Sequence, residues 1–124
     1  MNKVILINGF AGVGKLTVAE ILSGMTGYTL LDNHMINNIV FPFINIDQDI
    51  DDSIWHEIIT IRKSVFKIIS IGKIYDNFIL TNEICDDHID LKYYSDIEKF
   101  ARSIKAILCN VVLECDDKEE LKKE

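Results

Sequence analysis

Gly9, Gly12, Gly14, Lys15 and Thr17 stand together in the run GFAGVGKLT, and their spacing is that of a loop that wraps a phosphate. Such a loop turns consecutive backbone N–H groups toward one anion. That demands unusual φ/ψ values and no side chains in the way, which glycines at 9, 12 and 14 satisfy. Lys15 adds a charge that reaches the outer phosphates, and the helical pattern that starts there aims its N-terminal dipole at the same anion. The stretch expected to bind is therefore Gly9, Gly12, Val13, Gly14, Lys15, Leu16 and Thr17. The alternative is a glycine-rich strand-to-helix turn that holds no ligand.

One position departs from the usual Walker A pattern. Leu16 stands directly after the lysine, where a Ser or Thr hydroxyl ordinarily holds Mg²⁺, and Thr17 follows it. One helical step turns a side chain by about 100°, so Thr17 is expected to meet an inner phosphate and the metal to need other ligands.

Further candidates lie downstream. Asp32, Asn33 and His34 follow a short apolar run, at what would be the carboxyl end of a strand, the edge where open parallel sheets bind ligands. Helix capping is the competing role for Asp32 and Asn33. Arg62 falls four residues from both Ile58 and Phe66, which puts a cation on or beside an apolar helical stripe, where it needs a partner, a ligand or a snorkelling route to water. The run Asp47 to Asp52 lacks the glycine and the final glutamate of a calcium loop, and Asp86, Asp87 and His88 lack further spaced ligands.

These residues need elements to hold them. Lys3 to Asn8 is a short run rich in Val, Ile and Leu with no charge inside it, the pattern of a strand buried on both faces, and a helix is expected from Lys15 to Met25 with Val18, Ile21, Leu22 and Met25 toward the sheet. A second strand is expected over Tyr28 to Leu31, a short helix ended by Pro42, and a long helix from Asp51 to Ile71. A third strand over Phe78 to Thr81 leads to Asn82 and Glu83, a helix covers Asp90 to Lys105, and a fourth strand is AILCNVVLEC. Strands alternating with helices predict an α/β layered sheet with right-handed crossovers.

The whole chain sets limits. Its 124 residues make one domain, residues 1–124, with 48% hydrophobic and 27% charged content. A net charge of −7 argues against nucleic acid as a general partner, since phosphate neutralisation needs a basic face. No apolar run approaches a membrane span or a signal peptide, so the expected location is cytoplasmic with no membrane partner. Cys85, Cys109 and Cys115 show no C-x-x-C spacing and are expected to be reduced.

The runs INGFAGVGKLTVAEIL, LLDNHMINNIVFPF, IRKSVF and VVLECDDKEELKK resemble the P-loop small-molecule kinases, most closely the shikimate kinase-like ATPases, over nearly the whole chain. The resemblance implies a P-loop NTPase-type three-layer sandwich with a mainly parallel sheet in the order 2-3-1-4, the fifth strand missing. It implies ATP and Mg²⁺ as cofactors and a small-molecule acceptor. Asp32 matches an acidic residue near Mg²⁺ and the γ-phosphate, and Arg62 matches an arginine that grips the acceptor's carboxylate. His34 stands where shikimate kinases carry a substrate-contacting Asp, which argues against shikimate itself. Adenylate kinase-like enzymes also carry Thr one place beyond the usual hydroxyl, so Thr17 has precedent. The third strand lacks the usual following aspartate and leaves Glu83 as the nearest carboxylate. Family members continue into a lid with arginines and a fifth strand, whereas Glu124 stops first, so the reading expects a truncated domain that self-associates through an open fourth-strand edge. Lys15, Asp32 and Arg62 are the expected catalytic residues, with Asp32, His34 and Arg62 at the acceptor. The alternative is a nucleotide-binding module or remnant without turnover.

Overall fold

The computed structural model describes residues 2–9, 13–44, 50–83 and 88–114. Gly12, Cys85, Asp86, Asp87 and Cys115 lie outside them. Strand β1 (Asn2–Gly9) is followed by helix α1 (Lys15–Thr26), strand β2 (Thr29–Leu31) and helix α2 (Asn33–Val40), which tightens into a 3-10 turn over Phe41–Phe43. Helix α3 (Asp52–Ile71), strand β3 (Phe78–Glu83), helix α4 (His88–Ser103) and strand β4 (Ala106–Val112) complete the order.

All four strands run parallel, in the order β2-β3-β1-β4. The uninterrupted apolar run of β1 is what its central place requires, because both of its faces are covered. Val4 and Leu6 point into a core made with α3 and α4, through Ile59, Phe66, Ile97 and Phe100. Ile7 points the other way, into a smaller cluster with Ala19 of α1 and Ile79 of β3. Helices thus lie on both faces of the sheet.

The larger core is built on aromatic stacking. The Phe66 ring lies between Phe100, centroids 4.4 Å apart, and Tyr93 at 6.2 Å, and Phe78 meets Phe100 edge-on at 5.8 Å. Tyr93, Ile97, Phe100, Ala101 and Ile104 recur at three and four residues along α4 and its C-terminal turn, and all are buried. Burial pushes the Tyr93 phenol up to about 12, with the Asp96 carboxylate adding to the shift and the Arg62 guanidinium opposing it.

Helix α1 corrects the sequence reading. Val18, Ile21 and Met25 are exposed, and the face on the sheet is Lys15 and Ala19 with Leu22 half-buried. The cause is Lys15: once its side chain turns inward, the residue four places on must turn inward too, and alanine at 19 lets the helix close on Ile7 and Ile79. Strand β3 also runs two residues further than expected, through Asn82 and Glu83, because both continue its pairing with β1 opposite Asn8 and Gly9. Strand β4 ends at Val112 and forms one edge of the sheet, with Ile107, Val111 and Val112 exposed. Among the described residues Cys109 is a free thiol.

Two measurements test this packing. Phe100→Ala should lower unfolding stability by about 3–5 kcal/mol in a denaturant titration, the usual cost of emptying a buried phenylalanine site. The Tyr93 phenol titrates near 10 when unfolded and about 12 when folded. The stabilisation it carries is therefore complete below pH 10 and is lost as pH rises toward 12, a fall of about 2–3 kcal/mol that Tyr93→Phe should remove from the alkaline unfolding profile.

Candidate functional site

The site begins where β1 ends. A methyl group on Gly9 would sit 2.6 Å from Val13 Cγ1 and 3.1 Å from the Leu113 carbonyl oxygen, so the chain closes on itself there only with glycine. Leu113 is held in place by its N–H, which donates to the Asn8 carbonyl at 2.8 Å. Gly14 has φ +90°, left-handed backbone that again favours glycine, and it is the residue from which α1 starts. Its carbonyl accepts from Val18 N–H at 3.1 Å, which opens the helix ladder.

The first turn of α1 differs from those of α2 and α3. Asp32 caps α2 by accepting from His34 N–H, and Asp51 caps α3 by accepting from Ser53 N–H, a bond that holds the Asp51 carboxyl below its usual range. At α1 no side chain caps the helix and no acidic residue occupies the first turn. Lys15 is buried at that turn, while Leu16 and Thr17 are exposed. A helix N-terminus that follows a left-handed glycine, has no acidic residue in its first turn and carries a lysine suits an anion.

On the other side of β3 lies a cleft of about 170 Å³. Asp32, Asn33, Arg62, Thr81 and Tyr93 contribute to its lining. The structure therefore brings Asp32 and Arg62 to one cavity. His34 has an exposed side chain outside that lining, and Lys15 and Thr17 lie outside it as well.

Thr81 is the node that fixes Asp32. Its hydroxyl lies against Asp32 Oδ1 and 2.8 Å from Asn33 Oδ1, so its single proton serves those two acceptors, while its oxygen accepts from Asn33 N–H at 3.0 Å. Asp32 is buried, and its other oxygen, Oδ2, accepts from His34 N–H at 3.2 Å. Asp32 is thus both a cap and a member of the cleft.

Arg62 is held from two sides. Its Nη2 donates to Asn37 Oδ1 at 2.9 Å, and its guanidinium carbon lies 5.2 Å from the centre of the Tyr93 ring. Its Nε is buried without a hydrogen-bond partner. Lys63 pairs with Asp96 at 3.9 Å, and the contacts that hold Arg62 among the described residues are with the neutral Asn37 and Tyr93. A guanidinium held half-buried by neutral groups is suited to an anion brought from outside.

Sequence reasoning missed Thr81, Asn37 and Tyr93 as site residues. For Thr81 a signal existed: strand order 2-3 places the residue after the end of β2 beside the end of β3, and a hydroxyl there faces an aspartate. Asn37 is one turn beyond Asn33 on α2, and nothing in the local pattern ties it to Arg62.

As to metals, the described residues contain no group of three or more His, Cys, Asp or Glu side chains able to hold an ion. Asp32 is the carboxylate lining the cleft. Among the described lining residues the expected Mg²⁺ would find the Asp32 carboxylate, and Leu16 offers no hydroxyl.

Neither a family model nor a curated protein matches the chain. Solved structures do. A sugar kinase from Janibacter sp. superposes with a TM-score of 0.60 at 15% identity, over 99% of this chain and 65% of its own. A putative kinase from Chloroflexus aurantiacus gives 0.60 at 14% identity over 90% and 59%, and a gluconokinase from Sinorhizobium meliloti gives 0.55 at 18% over 98% and 62%. The chain thus spans about 59–65% of the length of these solved proteins. No helix among the described residues is long and apolar enough to cross a membrane. The four-stranded parallel sheet in the order 2-3-1-4, with its helices, is the fold shared with these kinases.

Proposed function

We propose that the chain is an ATP-dependent small-molecule kinase, with the phosphates in the loop between β1 and α1 and an alcohol acceptor in the cleft of Asp32 and Arg62. The observation that carries this reading is the placement of both features on one sheet edge. Gly9 pairs opposite Glu83 at the end of β3, and Leu31 pairs opposite Leu80 one residue before Thr81. The end of β1, where the proposed phosphate loop begins, and the cleft of Asp32 and Arg62 are thus neighbours across a single strand, which supports transfer between two bound molecules.

In this reading backbone N–H groups from Gly9 to Lys15 hold the β- and γ-phosphates, Lys15 offsets the charge that develops on the transferring group, and Thr17 contacts an inner phosphate. The bond from the acceptor oxygen to the γ-phosphorus forms as the bond to the departing ADP oxygen breaks. The acceptor's hydroxyl proton passes to the Asp32 carboxylate, which the Thr81 hydroxyl and the His34 N–H keep aimed. Arg62 binds an anionic group of the acceptor, and His34, on the exposed face of α2, closes over it.

In the alternative role of Asp32 its carboxylate would hold Mg²⁺, which commonly takes one or two protein carboxylates beside phosphate oxygens and water. When bound, the ion neutralises charge on the phosphate oxygens.

Calorimetric titration with ATP, with and without Mg²⁺, tests the reading. Saturable binding should weaken tenfold or more in Lys15→Ala, a difference of about 1.4 kcal/mol or above. A folded wild-type chain that takes up no ATP overturns the proposal, and saturable ATP binding with no transfer to any alcohol reduces it to nucleotide binding.

A further inference from the structure

The cleft that would seat the acceptor is walled by Leu31, Met35, Ile36, Val65, Phe66 and Leu80. These side chains come from β2, α2, α3 and β3, and the Tyr93 ring of α4 joins them in the lining. Its polar groups are largely committed to one another. The single proton of Thr81 goes to Asp32 and Asn33, its oxygen holds Asn33 N–H, Asp32 Oδ2 holds His34 N–H, and Arg62 Nη2 is spent on Asn37. What remains for a ligand among the described lining residues is the spare capacity of one carboxylate, one amide side chain, the Tyr93 hydroxyl and the rest of one guanidinium.

That supply does not match a polyol. A sugar or sugar acid carries hydroxyls along its whole length, and each one pressed against Val65, Phe66 or Leu80 loses its water without gaining a partner. Each such group costs roughly tenfold in affinity. A site built for hydroxyls shows an array of side-chain donors and acceptors, whereas among the described lining residues such groups are few and most are paired with one another.

The size of the cavity narrows the choice. An apolar protein cavity of roughly 150 Å³ takes up benzene, and this cleft measures about 170 Å³. From the walls, the volume and the hydrogen-bond supply together, we infer that the acceptor is an alcohol whose body is a single apolar ring, not a sugar or other polyol. The inference rests on the proposed kinase reading for the word acceptor, but the cleft and its preference stand without nucleotide. It also separates this chain from the sugar kinase and the gluconokinase whose fold it shares.

Two probes isolate the point. 3-(Hydroxymethyl)benzoate and gluconate both carry a carboxylate and a primary alcohol, and they differ in the body between them. Each is titrated into the ¹⁵N-labelled chain without nucleotide, and amide shifts are followed. The ring compound should bind at least tenfold tighter than gluconate, with the largest shifts at Leu31, Ile36 and Val65. Met35 is half exposed, so Met35→Gln leaves the fold intact, and it should weaken the ring compound threefold or more while leaving gluconate unchanged or improved. Gluconate binding as tightly as the ring compound overturns the inference, and so does a ring compound that fails to saturate at millimolar concentration or shifts residues remote from the cleft. ATP titration of the same sample separates the two claims. Ring binding without ATP binding removes the kinase and keeps the apolar cleft, and ATP binding with a gluconate preference does the reverse.

Discussion

Parallel pairing of β1 with both β3 and β4 is the constraint on which the molecule depends. Parallel neighbours cannot be joined by tight turns, so each connection must cross a face of the sheet, and each crossing brings a helix. Every strand therefore ends on the same edge, and every helix that follows a strand starts there. The left-handed turn at Gly14, the Asp32 cap and Thr81 near the end of β3 are gathered by this rule and not by attraction to one another.

The same rule explains how polar groups survive there. A buried aspartate and a half-buried arginine are costly in a domain this small unless their hydrogen bonds are met. Thr81 and the N-terminus of α2 satisfy Asp32, and Asn37 and the Tyr93 ring support Arg62. Thr81 and Tyr93 come from β3 and α4, elements that also pack the hydrophobic core. Tyr93 is stacked on Phe66, and Phe66 on Phe100, so the platform under Arg62 is continuous with the centre of the larger cluster.

Much of this was legible in the chain, for a physical reason that differs from element to element. The β1 strand declares itself because a central parallel strand must be apolar on both faces, and the turn after it because Gly9 and Gly14 do what other residues cannot. Helix α3 shows in its three-and-four spacing, and Asp32 in its place after β2. The inward face of α1 was not legible: apolar spacing favoured Val18, Ile21 and Met25, but the turn before the helix sends Lys15 inward and drags Ala19 with it. The supports of the cleft were hidden for another reason. Thr81 lies 48 residues from Asn33, and Asn37 lies 25 from Arg62, so no local period connects them and the sheet order alone brings them together.

Phe66 has two duties, since one edge of its ring lines the cleft while its faces are stacked between Tyr93 and Phe100. The cleft thus has a conservative wall and a permissive one. Any substitution that reshapes the α3 side disturbs the stack that holds the domain together and is purged for instability before a new ligand rewards it. Met35, half exposed on α2, carries no such burden. Change in what the cleft admits is therefore channelled through one short helix, and a laboratory library aimed at reshaping it has its tolerant positions there.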